Sequence, residues 1–392
     1  MALTKHEIQY LPLETPAFIY DEDAILKTLR HLRKLSSVSG CRVLFSLKAF
    51  SMDDALRMMI PMLDGLAVSS LFEARLARNL IENTKRTIHI TTPALRFDEL
   101  EELVAICDYL SFNSLSQWNR FSEQCSRYTS CGLRVNPQIS FVADERYDPC
   151  RSYSKLGIPL PQLIDFVSKH HGPLTKLRGL HFHTNCEAVD FAPLLSTTER
   201  IHTQLGSLLL DLEWINLGGG YQFGDIEELE PFYRAVDLLR REFGLEVFIE
   251  PGEAIIGKAG YVVSSVLDLF ESEGKKIAIL DTTVNHLPGV FNYQTDPTVL
   301  NSVPDSEHNY LLAGATCLAG DLFGEHHFSE PLEIGSRIVF QNVGGYSLVK
   351  ANMFNGVNLP IIYAIDAEKK LWLKRRYTIT DFLSKWESSK ES

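Results

Sequence analysis

The sequence predicts an α/β protein in which a (β/α)8 TIM-type barrel is followed by a C-terminal all-β domain. Eight short apolar runs alternate with longer amphipathic segments in the first two thirds of the chain, and eight parallel strands are enough to close a barrel. After Gly252 the strand-like runs are joined by turn-rich loops with little helical pattern, which is typical of a Greek-key or barrel-like β-domain. We therefore expect the barrel over residues 16–255 and the β-domain over residues 256–392, with residues 1–15 as a candidate addition to the β-domain.

The eight apolar runs are rich in β-branched and aromatic residues, as buried parallel strands are. They are Arg42–Leu47, Gly65–Ser69, Thr87–Thr92, Tyr109–Asn113, Gly132–Asn136, Leu177–His183, Trp214–Leu217 and Val247–Glu250. Segments with helical spacing lie between them, for example Asp53–Met62, Leu71–Ile81, Asp98–Ile106, Ser114–Tyr128 and Ile226–Phe243. Asp98 with Glu101 and Ser114 with Gln117 have the spacing of capping boxes.

In the β-domain, six runs predict strands because they are apolar, short and bounded by turn residues. They are Gly260–Leu269, Lys276–Asp281, Tyr310–Cys317, Arg337–Asn342, Ile361–Ile365 and Leu371–Arg375. The change of pattern places the domain boundary near Pro251–Ala259.

Charge and composition exclude several functional classes. The 392 residues carry a formal net charge of −12, whereas binding to nucleic-acid phosphates needs a basic face. The chain has no apolar stretch of the ~20 residues that span a bilayer, and residues 1–6 do not resemble the start of a secretory signal. We therefore expect a cytoplasmic protein that binds neither nucleic acid nor membrane.

Metal and disulfide chemistry are not indicated. The seven cysteines are scattered and form no CxxC pair, which argues against a disulfide framework and a structural zinc site. His181 and His183 alternate along a predicted strand, so they should face opposite sides and not chelate one metal ion. Two further pairs of consecutive histidines, at positions 170–171 and 326–327, are expected at the surface or in turns.

Unusual polar residues recur where the predicted barrel strands end, and reacting groups lie at the carboxyl ends of strands in such barrels. Lys48 ends the first run, His183 the sixth and Glu250 the eighth, and Gly218–Gly220 follow the seventh. Desolvation should lower the pKa of Lys48 and favour the neutral amine that forms imines. Each feature also has a simpler interpretation: a lysine reaching solvent, a tight glycine turn, or a glutamate bonded only to backbone.

Taken together, the motifs resemble the alanine-racemase-fold (fold type III) pyridoxal phosphate decarboxylases. Within this family the sequence looks most similar to the carboxynorspermidine/carboxyspermidine decarboxylases, over nearly the whole chain. The residues that carry the resemblance are Ser46–Ser51, His181–Glu187, Asn216–Gly220, Glu250–Ala254, Cys317–Asp321 and Phe354–Gly356.

The resemblance implies pyridoxal 5'-phosphate as the cofactor. Lys48 would carry it as a Schiff base, His183 would stack on its ring, and Glu250 would pair with the ring nitrogen, which makes the ring an electron sink. Tyr346 would pack near the cofactor. The residues implied around the phosphate are Gly218, Gly219, Gly220, Gly252 and Glu253.

The resemblance also implies a homodimer with a shared active site. Cys317 would enter from the partner subunit and protonate the carbanion, and Asp321 of the same loop would contact the distal part of the substrate. Glu187 and His286 are further candidates for substrate binding.

The implied reaction is decarboxylation of a carboxylated polyamine, similar to carboxynorspermidine or carboxyspermidine, to the amine and carbon dioxide. Gly289 and Asn292 stand where the resembling enzymes tend to carry acidic residues, which would suit a polycation better. A second interpretation is therefore a decarboxylase of another diamino acid or of an amino-acid-bearing siderophore precursor. Racemisation and a non-catalytic homologue are further alternatives, and the Cys317–Asp321 motif favours decarboxylation over racemisation.

Overall fold

The computed structural model describes residues 5–169, 174 and 176–388. The chain folds into two compact units: residues 28–254 form one, and residues up to Lys27 together with those from Ile255 onward form the other. We call them the barrel unit and the β unit. The helix Glu22–Ser39 contains the first boundary and the helix Glu253–Ile256 contains the second.

The barrel unit contains the predicted (β/α)8 barrel. Each of its eight main strands pairs in parallel with the next, and the last pairs with the first, so the sheet is closed. These strands are Arg42–Ser46, Gly65–Val68, Thr87–Thr92, Tyr109–Phe112, Ser130–Asn136, Gly179–His181, Trp214–Asn216 and Glu246–Ile249. A two-residue strand, Ile158–Pro159, adds to the strand Ser130–Asn136. The fold class is confirmed, and the sixth strand is shorter at both ends than its apolar run.

The helices of the barrel unit follow the predicted alternation. They are Asp53–Met59, Leu71–Ile81, Leu100–Ile106, Leu115–Cys125, Leu160–Lys169, Ala192–Leu209 and Glu230–Phe243, with 3-10 turns at Leu47–Ala49, Ile60–Met62 and Phe97–Glu99. The Ser114 hydroxyl accepts from the amide of Gln117 at 3.1 Å, so the predicted cap is present. The predicted cap at Asp98 is wrong, because Asp98 lies inside a 3-10 turn and its carboxylate accepts from Arg96.

Aromatic side chains fill the amino-terminal end of the barrel. The ring of His89 stacks on Tyr109 with a centroid distance of 4.1 Å, and Trp214 and Phe248 meet Tyr109 edge-on. A Cβ at Gly179 would lie 2.1 Å from the Trp214 ring, so this position needs glycine. The polar site residues predicted from the sequence lie at the other end, where the strands finish.

The β unit is built on an eight-stranded mixed sheet. Its strands are Ala17–Asp21, Gly260–Ser272, Lys275–Leu280, His308–Ala313, Leu322–Phe328, Arg337–Gln341, Ile361–Ile365 and Leu371–Arg375. The six predicted strands are present; Ile361–Ile365 and Leu371–Arg375 have the predicted ends, and the other four are shifted. The strand Leu322–Phe328 was not predicted. The helices of the unit are Lys5–Gln9, Pro288–Tyr293 and Ile379–Leu383, with 3-10 turns at Gly257–Ala259 and Phe354–Gly356.

The N-terminal boundary differs from the sequence-based one, which gave residues 16–27 to the barrel. The strand Ala17–Asp21 is buried along its whole length. It pairs antiparallel with Gly260–Ser272 and parallel with Ile361–Ile365, so it is an inner strand of the β unit. Residues 5–16, the described part of the chain before this strand, form no strand. Arg337 instead donates to the carbonyl groups of Gln9 and Leu13, at 3.3 and 2.8 Å.

His326 and His327 both lie within the strand Leu322–Phe328, so neither is in a turn. The expected surface position is wrong for His326, whereas His327 is half-buried. His326 is buried, and its Nε2 lies 2.9 Å from the carbonyl oxygen of Phe323. The histidines at 170–171 lie outside the described residues. Over the part of the chain that is described, we find no helix with the length and apolar character needed to cross a membrane.

Candidate active site

Lys48 lies in the 3-10 turn Leu47–Ala49, directly after the first barrel strand. Its neighbours in the turn are buried, whereas Lys48 keeps solvent-accessible surface at the carboxyl end of the barrel. Protein atoms nevertheless surround the side chain closely. This desolvation lowers the pKa of Lys48, against the opposing effect of Glu250, and so favours the neutral amine.

Glu250 follows the last barrel strand, and its carboxylate is held from the neighbouring strand. Its Oε1 accepts from the side-chain amide of Asn216 at 2.7 Å. The Asn216 Oδ1 in turn accepts from the backbone amide of Gly218 at 2.9 Å, which fixes the orientation of the Asn216 amide. Burial by itself raises the pKa of Glu250, but His181 and Lys48 outweigh this effect and the net pKa is lowered. Glu250 is therefore a carboxylate at neutral pH.

His183 lies beyond the sixth strand, which ends at His181. Its Nδ1 accepts from the backbone amide of Gly219 at 3.0 Å, so the ring proton resides on Nε2. Desolvation holds the pKa of His183 well below its usual range, and the ring is neutral.

The prediction that His181 and His183 face opposite sides is wrong. It assumed that the strand continues through His183, whereas the chain leaves the sheet after His181. Both imidazoles interact electrostatically with Lys48 and Glu250. Within the described residues, no three His, Cys, Asp or Glu side chains are grouped to hold a metal ion.

The three glycines after the seventh strand let neighbouring loops approach closely. Gly218 has a φ of +70°, and a Cβ at Gly219 would lie 2.3 Å from the carbonyl oxygen of Glu250. The amides of Gly218 and Gly219 already donate to Asn216 and His183. These two amides are thus already used within the protein, and the phosphate contact predicted for Gly220, Gly252 and Glu253 stays a prediction. A carboxylate repels a phosphate, so the backbone of Glu253 suits this role better than its side chain.

In the β unit, Cys317 lies in the loop after the strand His308–Ala313 and is exposed. Its backbone amide donates to Oδ1 of Asn355 at 2.8 Å. Asn355 has a φ of +55° in the turn Phe354–Gly356. The Phe-Asn-Gly motif thus holds the backbone beside the thiol.

Asp321 is held inside its own unit. Its side chain is only 2% exposed. The carboxylate accepts from the amides of Val284 and Thr316, at 2.8 and 3.0 Å, and also from the Thr316 hydroxyl. Asp321 therefore anchors the loop that carries Cys317, and its predicted contact with the substrate stays a prediction.

The other predicted contact residues occupy varied positions. His286 is 1% exposed, its Nδ1 lies 3.0 Å from the Thr282 hydroxyl, and burial lowers its pKa to about 4. It supports the same loop region from inside and does not reach a surface that a substrate could contact. Glu187 is exposed with a φ of +56°. Tyr346 is half-buried, and the Lys350 ammonium lies 5.1 Å from its ring centroid.

Comparison with known proteins identifies the family. Residues 17–344 match the family described as pyridoxal-dependent decarboxylase, C-terminal sheet domain. This chain belongs to the pyridoxal-dependent decarboxylases.

Among curated proteins, a carboxynorspermidine/carboxyspermidine decarboxylase of Campylobacter jejuni is 33% identical, over 95% of this chain and 98% of that protein. A carboxyaminopropylagmatine decarboxylase of Synechocystis is 31% identical, over 94% and 95%. The crystal structure of the Campylobacter jejuni carboxynorspermidine decarboxylase complexed with norspermidine matches with a TM-score of 0.85 and 31% identity, over 95% of this chain and all of that one.

Members of this decarboxylase family use pyridoxal phosphate, and the barrel unit provides groups that fit it. Lys48 presents an amine whose pKa is lowered, and Glu250 presents an ionised carboxylate for a protonated ring nitrogen. The orientation of the His183 ring is fixed by the amide of Gly219. Each group lies at the carboxyl end of a different strand, as the sequence indicated.

Two residues of this decarboxylase site were missed from the sequence. Arg134, in the strand Ser130–Asn136, is buried, and desolvation lowers its pKa to about 10 while Glu250 opposes this shift. His181 lies 3.7 Å from Glu250 through its Nε2. Arg134 could have been found, because an arginine inside an apolar strand run is rare unless a charge compensates it.

Replacing Asp321 by Asn tests its assignment as a loop anchor. Asn supplies one acceptor oxygen in place of two, so we expect the free energy of unfolding to fall by about 1–3 kcal/mol. Alkylation of Cys317 should also speed up or slow down as the loop loosens. Urea denaturation and timed reaction with iodoacetamide measure the two effects. Glu330→Gln, at an exposed position of the β unit, is the control and should change neither. Unaltered stability together with a raised KM would instead support substrate contact.

Proposed function

We propose that this enzyme decarboxylates a carboxylated polyamine of the carboxynorspermidine or carboxyspermidine type, releasing the amine and carbon dioxide. The observation that carries the proposal is the group of Lys48, Glu250 and His183 at one end of the barrel. It occurs in a chain whose full-length relatives act on carboxylated polyamines.

The chemistry that pyridoxal phosphate supplies when bound is an electron sink for the pair left on the α-carbon by departing carbon dioxide. Glu250 holds the ring nitrogen protonated through its ionised carboxylate. Asn216 keeps that carboxylate oriented by donating to Oε1. His183 contributes a neutral ring surface, since its pKa is too low for it to carry a charge at neutral pH.

Lys48 acts through its neutral amine, which can attach the cofactor and later exchange with the substrate amine. The surrounding protein atoms desolvate the ammonium, which lowers the pKa of Lys48 and favours this neutral state, although part of the side chain stays exposed. Glu250 attracts the charged form and opposes this shift.

Cys317 is proposed to return a proton to the α-carbon. Its exposed position on a pinned loop supports this role. We propose further that the active site is shared in a homodimer, so that the acid is the partner subunit's Cys317. The seven cysteines, all within the described residues, form no disulfide, which agrees with a cytoplasmic location.

A second substrate class has one observation in its favour. The helix Pro288–Tyr293, which contains Gly289 and Asn292, has no acidic side chain. A positive charge lies beside this helix, since the Lys350 ammonium is 5.7 Å from the Tyr293 ring centroid. Such a surface is less suited to several positive charges, so a smaller diamino acid is the competing substrate.

A panel of carboxylated substrates tests the proposed reaction. We expect carbon dioxide release from carboxynorspermidine and carboxyspermidine with kcat/KM at least about tenfold above that for meso-diaminopimelate, ornithine or lysine. The amine product would be identified by mass spectrometry, and Lys48→Ala is the inactive control. Preference for a diamino acid would favour the competing class, and no activity on any member would reject both substrates.

Replacing Cys317 by Ala tests its role as the proton donor. Loss of a general acid should lower kcat by about 10²–10⁴-fold, while the affinity for the cofactor is retained. The product should also shift from the amine toward the carbonyl compound, because protonation at another carbon becomes competitive. Cofactor absorbance and product analysis measure the two effects. Wild-type rate and product would remove Cys317 from the reaction.

A further inference from the structure

His181 is buried inside the barrel at the end of the strand Gly179–His181, with 2% of its side chain exposed. Among the described residues, neither Nδ1 nor Nε2 has a hydrogen-bond partner. A buried N–H without a partner reduces stability, and such groups in native structures call for an explanation. The catalytic roles proposed above make no use of this side chain.

The group that faces His181 is Glu250. The distance from His181 Nε2 to Glu250 Oε2 is 3.7 Å, about 0.7 Å longer than an ordinary N–H···O hydrogen bond. The other carboxylate oxygen, Oε1, already accepts from Asn216. A small rotation of either side chain would therefore give each oxygen of Glu250 its own donor.

The sheet register keeps His181 in this position. In the parallel ladder His181 pairs with Arg134 on one side and with Asn216 on the other. The other titratable groups that interact electrostatically with His181 and Glu250 are Lys48, Arg134, His89 and His183. Within this set, His181 is the group that lies within 4 Å of the Glu250 carboxylate.

We propose that His181 is a positioning residue for the reaction: its Nε2–H donates to Glu250 Oε2 and keeps this carboxylate ionised and directed at the pyridine nitrogen of the cofactor. The inference deepens the proposed role of Glu250 and rests on it. His181 itself touches neither the cofactor nor the substrate in this assignment.

The protonation state of His181 suits such a donor. Desolvation lowers its pKa, and the attraction of Glu250 does not reverse the shift. A neutral imidazole with its proton on Nε2 can donate one hydrogen bond without adding a positive charge. It therefore supports the carboxylate without competing with the protonated ring nitrogen for the negative charge.

The competing explanation is that His181 only fills space inside the barrel. Two substitutions distinguish this packing role from the positioning role. His181→Phe keeps a ring of similar size but removes the donor. His181→Gln places an amide N–H near the position of Nε2, so it should restore the hydrogen bond. A packing role would favour Phe over Gln, whereas the positioning role favours Gln over Phe.

The experiment titrates each apoenzyme with pyridoxal phosphate and follows the absorption band of the bound cofactor. We expect His181→Phe to weaken binding about tenfold or more, the effect of losing a hydrogen bond to a charged group, and to shift the band. We expect His181→Gln to stay within about threefold of the wild type. Should His181→Phe not fold, His181→Asn replaces it, because Asn is too short to reach Glu250.

A double-mutant cycle with Glu250→Gln decides whether His181 acts through Glu250. If it does, adding His181→Phe to Glu250→Gln should change neither affinity nor spectrum further. Additive effects, or a His181→Phe protein that binds like the wild type, would overturn the proposal. If Glu250→Gln alone changes nothing, the role of Glu250 fails and takes this inference with it. If Glu250→Gln weakens binding and His181→Phe does not, only the inference fails.

Discussion

The arrangement at the barrel end depends on keeping one carboxylate, that of Glu250, ionised while it is almost fully buried. Removing an ion from water costs several kcal/mol unless donors and opposite charges compensate it. Part of the compensation comes from neighbouring segments: Asn216 donates to Oε1, His181 and Lys48 lower the pKa of Glu250, and Arg134 interacts with it electrostatically. Desolvation lowers the pKa of Lys48, and Glu250 opposes this shift because it attracts the charged form. Desolvation therefore favours the neutral amine of Lys48, and the carboxylate of Glu250 provides a partner for the protonated ring nitrogen of the cofactor.

The closed barrel makes this arrangement possible because its two ends differ. At the amino end, Trp214, Tyr109 and Phe248 pack together. At the carboxyl end, four strands each contribute a polar site residue at or soon after their last position, namely Lys48, His181, Asn216 and Glu250. The side-chain amide of Asn216 serves two elements there. Its nitrogen donates to the Glu250 carboxylate, and its oxygen accepts from the backbone amide of Gly218 in the glycine loop. A substitution at Asn216 should therefore disturb several elements at once.

Sequence patterns predicted the barrel, most strand positions and the three principal site residues, because buried parallel strands and strand-end polar groups leave local signals. The assignment of Ala17–Asp21 failed because a strand buried on both faces has the same apolar pattern in either unit, and only its pairing with Gly260–Ser272 and Ile361–Ile365 decides. The anchoring role of Asp321 was not predicted, because its donor Val284 lies 37 positions away. His181 was missed because its proposed role depends on its proximity to Glu250, which follows a different strand. No pattern in the sequence around His181 predicts this proximity.

Borohydride reduction followed by peptide mapping tests the central claim, that Lys48 at the end of the first barrel strand carries the cofactor. The purified enzyme would be reduced, digested and analysed by mass spectrometry, with an unreduced sample alongside. The account predicts loss of the absorption band and one modified peptide, with the reduced cofactor on Lys48. Modification of a different lysine, or a bound cofactor that borohydride fixes to no lysine, would contradict it.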